Sequence, residues 1–268
     1  MTTNHNPYQP PKADVTPPPQ DLELGELIPN GQTVPAGNGT QWIGDGFRLF
    51  GKAPGIWIVN IIILLVLSFV LAVIPVIGGI AQNLLTPVIM GGLMIGCRSL
   101  EAGNGLQVEH LFAGFKEKTG QLVLIGVFMF VATVVIVIIL FVLAFVVFGA
   151  GLMQAIGEGR GFSQWLIAQG LPMLLLLILL ATALFIPLAM AYWFAPALVV
   201  FHNMEAMPAM KASFLGCLKN FLPFLLYGIV MLVLAIVAAI PLFLGLLVLV
   251  PVGYATIYTS YKDIYLKQ

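Results

Sequence analysis

Charged side chains are scarce in this chain. Asp, Glu, Lys and Arg together make up 8% of its 268 residues, whereas hydrophobic residues make up 60%. A soluble globular chain carries roughly 25% charged and 45–50% apolar residues. The scarcity of charge therefore excludes an ordinary soluble domain and indicates a membrane protein.

Net charge and cysteine are also in short supply. Eleven basic and eleven acidic residues cancel, and no Lys/Arg cluster is large enough to form a polybasic patch, which excludes a nucleic-acid partner. Two cysteines, Cys97 and Cys217, are too few for a disulfide framework. We interpret both as small packing residues.

Ionisable residues are missing from the long apolar segments, except near the segment ends. A proton-coupled antiporter or an intramembrane protease would need relay or catalytic groups at these positions. Ser68, Thr133 and Thr182 alone cannot supply a nucleophile together with a base. The sequence therefore predicts a protein that is not an enzyme, with no cofactor and no catalytic residues.

Six apolar segments are long enough, at about 20 residues, to cross the hydrocarbon as helices. The predicted spans are 55–76, 78–97, 121–148, 171–200, 221–240 and 242–261. Residues 1–40 contain eight of the 18 prolines and no apolar run. We predict a disordered, Pro-rich cytoplasmic tail over residues 1–40 and a six-span membrane domain over residues 41–268.

Basic residues predict the orientation, because Lys and Arg near span ends are retained in the cytoplasm. With the N-terminus inside, Arg160 is the one basic residue left outside, and the other ten are cytoplasmic. This asymmetry supports an even number of spans. The predicted topology is multi-pass, with the N- and C-termini in the cytoplasm.

Three short segments of similar chemistry precede the first, third and fifth spans: WIGDGFRLFGK, VEHLFAGFKEK and AMKASFLGCLKN. At helical spacing each places its apolar residues opposite most of its charges, which is typical of a helix lying in the membrane interface. The predicted fold is therefore an all-α membrane protein with six transmembrane helices in three hairpins, each preceded by a cytoplasmic interfacial amphipathic helix.

Four stretches carry a resemblance to a known family: NPYQPPKADV, WIGDGFRLFGKAPGIW, LFAGFKEK and FAPALVVFHNMEAMPAMKASFLGCLKNF. Together they resemble a group of uncharacterised proteobacterial six-span inner-membrane proteins. That group is distantly similar to YciC-like proteins and to the membrane domains of some glycerophosphodiester phosphodiesterases. The resemblance implies the bacterial inner membrane as the location and implies no activity, since no phosphodiesterase catalytic domain is present.

A histidine followed by three methionines, His202 with Met204, Met207 and Met210, calls for a test as a soft-metal site. Pro208 argues against one continuous face, because proline is favoured at the first helical position and would leave the first two methionines in a turn. We favour interfacial packing by adaptable methionines and predict no metal site.

The last span carries four tyrosines at i, i+4, i+7 and i+11: Tyr254, Tyr258, Tyr261 and Tyr265. They predict one phenolic face at the cytoplasmic end. This face is either an aromatic belt at the membrane interface or, together with Lys211 and Phe214, a site for a lipid headgroup or a partner peptide.

Two functions from different classes follow from these patterns. The first is a non-enzymatic inner-membrane scaffold or accessory factor in envelope or lipid homeostasis, with membrane lipids and an envelope protein as its partners. The alternative is a transporter or flippase-like protein for an apolar or amphipathic substrate. A transporter needs a continuous cavity between its repeats, whereas a scaffold does not. Neither reading specifies an oligomeric state.

Overall fold

A computed structural model describes residues 24–159 and 161–267 of the chain. These residues form an all-helical fold with one isolated antiparallel bridge, between Leu27 and Leu266. The helices are α1 (Asn38–Lys52), α2 (Pro54–Ala72), α3 (Ile77–Glu101), a 3-10 helix (Val108–Phe115), α4 (Thr119–Gly157), α5 (Phe162–Trp165), a π-helical turn (Leu166–Gly170), α6 (Leu171–Trp193), α7 (Ala195–His202), α8 (Ala206–Lys219), α9 (Phe221–Ala239) and α10 (Leu246–Tyr265).

Five helical stretches in the described part of the chain are long and apolar enough to cross a membrane. They are Pro54–Ala72, Ile77–Glu101, Thr119–Gly157, Phe162–His202 and Phe221–Ala239, and they overlap the first five predicted spans. Their outer surfaces carry exposed apolar side chains such as Phe69 and Phe141, which are 71% and 70% exposed. Such surfaces are stable in lipid and not in water, so the chain is an integral membrane protein.

The sixth predicted span differs from the other five. Its helix, α10, begins at Leu246 instead of residue 242, because the preceding residues form a turn in which Leu242 and Phe243 adopt positive φ. Polar residues such as Ser260 and Asp263 occupy its second half. These side chains lower its hydropathy, and α10 is not among the five apolar stretches.

Helix α4 is longer than the predicted span 121–148. It continues to Gly157, beyond the predicted end at residue 148, and Gly151 packs there against Trp165 of α5. At 1.5 Å per residue its 39 residues extend about 58 Å, roughly twice the hydrocarbon thickness. A helix of this length extends well beyond the hydrocarbon.

The tail predicted for residues 1–40 divides into two parts. Residues 1–23 lie outside the described residues. Residues 24–40 contact the C-terminal end of the chain, where the Ile28 N–H donates to the Tyr265 carbonyl at 2.7 Å and the Lys267 N–H donates to the Glu26 carbonyl at 3.0 Å. The backbone N–H of Val34 also donates to the buried Asn220 side chain at 2.8 Å. Packed structure therefore begins before residue 41.

The buried core is concentrated at one end of the bundle. Helices α2, α4 and α9 begin there, and α3 and α10 end there, with side chains such as Trp57, Leu122, Tyr227, Cys97 and Tyr261 contributing to it. Helix α6, by contrast, has no buried residue among those described. The polar and charged residues that flank the spans therefore lie next to the best-packed part of the bundle.

Three pre-span helices, α1, the 3-10 helix and α8, correspond to the three similar sequence segments. Each of them packs against the second helix of the hairpin that comes before it, and the third hairpin takes this place for α1. The pairs are α1 with α10, the 3-10 helix with α3, and α8 with α6. A glycine allows close approach in two of them, since a methyl group at Gly46 would overlap Thr256 and one at Gly114 would overlap the Val88 carbonyl. The repeat in the sequence is thus also a repeat in packing.

Candidate functional site at the charged ends of the helices

The predicted tyrosine face of α10 points into the bundle. Tyr258 is 2% exposed, and Tyr261 and Tyr265 are fully buried, while Tyr254 is partly buried and lines a cavity between α2 and α3. The four side chains share one helical face, as their spacing predicts. They form no open groove at the surface.

Each of the three buried phenols has a specific partner. The Tyr258 hydroxyl donates to Glu101 Oε2 at 2.8 Å, and the Tyr265 hydroxyl donates to the Ala212 carbonyl at 2.8 Å. The Tyr261 hydroxyl lies 2.6 Å from His202 Nε2. These bonds satisfy groups that would be costly to bury alone, so the tyrosine face fastens α10 to α3, α7 and α8.

The other two candidate residues lie on α8. Lys211 is exposed and Phe214 is partly buried, and the same helix supplies the carbonyl that binds Tyr265. The structure therefore brings α8 to one end of the tyrosine face and not to all four phenols. The binding role predicted for these six residues stays a prediction.

The histidine and methionine segment does not converge on one point. Helix α8 begins at Ala206, two residues before the predicted start at Pro208, so Met207 lies in the helix and Met204 lies before it. Met207 is 56% exposed, whereas Met210 is buried. The side chains thus occupy different environments.

A charged pocket of about 340 Å³ lies beside the tyrosine face, between α1 and the C-terminal ends of α3 and α10. This volume is at the lower end of the range for small-molecule sites, roughly 300–1,000 Å³. Six charged residues line it: Asp45, Arg48, Lys52, Glu101, Lys262 and Asp263. We refer to this cavity as the charged pocket.

Glu101 is the junction between the tyrosine face and the charged pocket. One carboxylate oxygen accepts from Tyr258, and the other lies 2.6 Å from Lys262 Nζ. The Lys262 ammonium also lies 5.9 Å from the centroid of the Tyr258 ring. Because the carboxylate is held from both sides, it fixes the end of α3 against the end of α10.

Asp263 has a different set of partners. Its Oδ2 accepts from Trp42 Nε1 at 2.7 Å and from Asn38 Nδ2 at 2.8 Å, both on α1. The Trp42 ring is itself buried against Phe224 of α9. Two neutral donors on a buried scaffold therefore orient this carboxylate.

The opposite wall of the charged pocket is formed by α1. Arg48 pairs with Asp45 one turn earlier on the same helix. Lys52, the last residue of α1, is exposed and lies two residues before the start of the first apolar stretch. Positive charge on the C-terminal turn is favoured by the helix dipole.

The sequence analysis used Lys52, Arg48 and Lys262 to assign topology and did not predict a pocket. Glu101 and Asp263 were missed altogether. Their positions gave a signal, since a carboxylate at the end of an apolar segment is unusual in a chain with 8% charged residues. The residues that bind these two carboxylates could not be identified from the sequence.

A second cavity, of about 160 Å³, lies inside the membrane region between α2, α3 and α10. Ser68, Gln82 and Thr86 line it together with apolar residues. Gln82 Nε2 donates to Ser68 Oγ at 3.3 Å, and Thr86 donates to the Gln82 carbonyl at 2.6 Å. The polar groups that could face a small wet cavity thus largely bind one another. The cavity and the charged pocket share no lining residue.

Comparison with known proteins places the chain among inner-membrane proteins. It is 27% identical over 217 residues to a probable inner membrane protein of Burkholderia thailandensis, a match that covers 76% of this chain and 75% of the relative. No family model matches the chain, and no solved structure matches it. Together with the five apolar stretches, the similarity identifies an integral inner-membrane protein. The more distant resemblance to YciC-like proteins and phosphodiesterase membrane domains stays a prediction.

Proposed function

We propose that the chain crosses the inner membrane six times, in three hairpins, with both ends in the cytoplasm. The support for a sixth crossing is the path of α10. It begins beside the end of α9, where Gly245 contacts Ala238, and it ends beside α8, the helix that leads into α9, where the Tyr265 hydroxyl donates to the Ala212 carbonyl. Helix α10 has 20 residues and α9 has 19, so α10 runs back along about the same thickness of the bundle.

The three pre-span helices then lie in the cytoplasmic interface. Each combines a packed side with an exposed apolar residue that could contact lipid or protein: Phe47 in α1, Phe112 in the 3-10 helix and Leu218 in α8, at 39%, 45% and 53% exposed. A helix with one such face is suited to the boundary between headgroups and acyl chains. The charged pocket lies on the same side.

We propose that the protein acts by binding, without catalysis, as a scaffold or accessory factor in envelope or lipid homeostasis. The observation that carries this proposal is the position of the charged pocket at the ends of α3 and α10, on the best-packed part of the bundle. Rigid, solvent-facing charge is suited to recognition. The membrane interior offers instead the small cavity of Ser68, Gln82 and Thr86, which shares no lining residue with the pocket.

Site-specific photocrosslinking in native membranes tests this function. A photoreactive amino acid is placed at Phe47, Phe112 or Leu218, with Phe69 on the outer surface of α2 as the control. We expect the same protein adduct from at least two of the three pre-span sites and none from Phe69. Lipid adducts alone at all four positions would contradict a role as a protein scaffold.

The intramembrane cavity favours transport as the second candidate, because the polar residues of α2 and α3, in the first hairpin, face Tyr254 of α10, in the third hairpin, across it. Transport requires this cavity to open and to become continuous with one face. In proteoliposomes, transport would appear as protein-dependent movement of an amphipathic lipid analogue that is slowed when Gln82→Leu removes the polar lining. Equal rates with and without the protein would eliminate this candidate.

A further inference from the structure

The charges of the charged pocket are nearly, but not fully, paired among themselves. Arg48 pairs with Asp45, and Lys262 pairs with Glu101. Asp263 accepts its side-chain hydrogen bonds from the neutral groups of Trp42 and Asn38. Within the described part of the chain, Lys52 has no ion pair and Asp263 has no basic partner. The pocket therefore presents one uncompensated cation and one uncompensated anion.

Such a pair of opposite charges is complementary to a zwitterion. A simple anion would be attracted by Lys52 and repelled by Asp263. A simple cation would be attracted by Asp263 and repelled by Lys52. A ligand with both charges could place each one beside a pocket residue of opposite charge. Each of these two attractions would offset part of the free energy that the ligand loses when it leaves water. Both residues line the same cavity, so one ligand long enough to reach from Lys52 to Asp263 would satisfy both.

The depth of the pocket narrows the class of zwitterion. Lys52 lies two residues before the first apolar stretch, and Glu101 is the last residue of the second. In the proposed topology both mark the level at which hydrocarbon ends and headgroups begin. An exposed lysine at this level is well placed for a lipid phosphate, which it binds as a point charge.

The anionic end of the pocket is suited to an ammonium that can donate hydrogen bonds. Asp263 Oδ2 is occupied by the indole and amide N–H groups, which orient the carboxylate and leave its other oxygen as an acceptor. A primary ammonium has N–H groups to offer that oxygen, whereas a quaternary ammonium has none. The geometry therefore selects between two headgroups of equal charge.

We propose that the charged pocket binds a phosphodiester that carries a primary ammonium, as in a phosphoethanolamine headgroup. Lys52 contacts the phosphate and Asp263 contacts the ammonium. The assignment deepens the proposed function and rests on it, because the pocket reaches a lipid headgroup only if α1 lies at the cytoplasmic interface. The same headgroup chemistry could come from a membrane lipid or from free glycerophosphoethanolamine.

Calorimetric titration of the full-length protein in a maltoside detergent tests the proposal. The probes are dihexanoyl phosphatidylethanolamine, the corresponding phosphatidylcholine and phosphatidylglycerol, and soluble glycerophosphoethanolamine. We expect phosphatidylethanolamine to bind at least about tenfold more tightly than the other two lipids, the difference expected for one charge-assisted hydrogen bond. Equal affinity for the soluble compound would identify it as the source of the headgroup, and weaker affinity would identify the lipid.

Two variants and one control assign the contacts. Lys52→Gln and Asp263→Asn should each weaken phosphatidylethanolamine binding about tenfold, whereas Lys116→Gln, at an exposed position after the 3-10 helix, should leave it unchanged. Lys52 is exposed, so its substitution tests the site even if Asp263→Asn loosens α1. An unchanged unfolding temperature verifies that each variant is folded.

The sign of the Asp263 effect separates the proposal from a simple anion site. Tighter phosphatidylglycerol binding in Asp263→Asn, with no loss of phosphatidylethanolamine binding, would overturn the proposal, as would no saturable binding of any probe. Loss of lipid binding in Lys52→Gln with unchanged photocrosslinks would leave the proposed scaffold intact. Binding without any protein adduct would support the headgroup site and count against the scaffold.

Discussion

The Tyr258 hydroxyl donates a 2.8 Å hydrogen bond to Glu101, across 157 residues of sequence. Through this contact the last helix is joined to the end of α3, and the same carboxylate pairs with Lys262. One partly exposed carboxylate thus links the buried tyrosine face to the charged pocket.

Glu101→Gln should therefore destabilise the protein. The variant keeps an acceptor for Tyr258 and loses the charge opposite Lys262, and both partners of that pair are about one third exposed. We expect a loss of about 1 kcal/mol, near the upper end for an exposed pair. Thermal unfolding in detergent measures it, with the exposed Glu117→Gln as the control. A matching loss in both variants would mean that the Lys262 pair contributes nothing specific.

Two glycines of α1 offer a matched test of its packing. A methyl group at Gly46 would overlap Thr256 of α10, whereas one at Gly44 would meet nothing within 4 Å. We expect Gly46→Ala to lower the free energy of unfolding by about 1–3 kcal/mol through overpacking. Gly44→Ala should be neutral or stabilise α1 by about 0.5–1 kcal/mol through helix propensity. Equal unfolding temperatures for Gly46→Ala and Gly44→Ala would contradict the close packing of α1 on α10.

Two buried asparagines should respond differently to truncation. Asn220 accepts from the Val34 N–H and donates to the carbonyls of Gln32 and Gly216. Asn60 is equally buried, and its amide has no hydrogen-bond partner among the described residues. Since Asn220→Ala orphans backbone groups, it should cost roughly 2 kcal/mol more than Asn60→Ala. Chemical unfolding of the two variants measures the difference, and equal costs would contradict the contacts that fasten residues 24–37 to α8.

Stability should fall in mild acid because of His110. Burial lowers the pKa of this imidazole below its usual 6.5, and the neighbouring Glu109 carboxylate opposes this effect only in part. Its Nδ1 accepts from the Gln107 N–H at 3.0 Å, which requires the neutral ring. Since the unfolded state binds the proton more tightly, the stabilisation is complete above about pH 6.5 and is lost as pH falls through the lower folded pKa.

Unfolding temperatures of wild type and His110→Asn between pH 7.5 and 5.5 measure this effect. Asparagine keeps an acceptor near the Gln107 N–H and does not titrate. The variant should therefore lose less stability over this pH range than the wild type. Parallel curves would show that another group causes the pH dependence.

The sequence predicted the parts of the fold that depend on local composition. Apolar runs located the first five spans, and the spacing of the tyrosines placed them on one face of α10. The contacts of that face could not be predicted, because a phenol at a span end is equally compatible with lipid, water or protein. Trp42 and Asp263 are 221 residues apart, and only the packing of α1 on α10 brings them together.

The end of α4 and the start of α10 show a second limit. The predicted third span ends at residue 148, but the helix continues to Gly157, and Trp165 packs on Gly151 there. Residues 242–245 were predicted as the start of the sixth span. They instead form a turn before α10, with positive φ at Leu242 and Phe243. In both places tertiary packing and chain reversal outweigh the local signal.

The crossing of α10 decides whether the charged pocket faces the cytoplasm, and single cysteines test it directly. Leu242→Cys and Lys267→Cys place thiols at exposed positions before and after α10, at 86% and about 61% exposed, and native Cys97 and Cys217 are buried. With an impermeant maleimide on intact spheroplasts, we predict labelling of Leu242→Cys alone and labelling of Lys267→Cys only after the membrane is opened. Labelling of Lys267→Cys in intact spheroplasts would contradict the sixth crossing and the cytoplasmic pocket together.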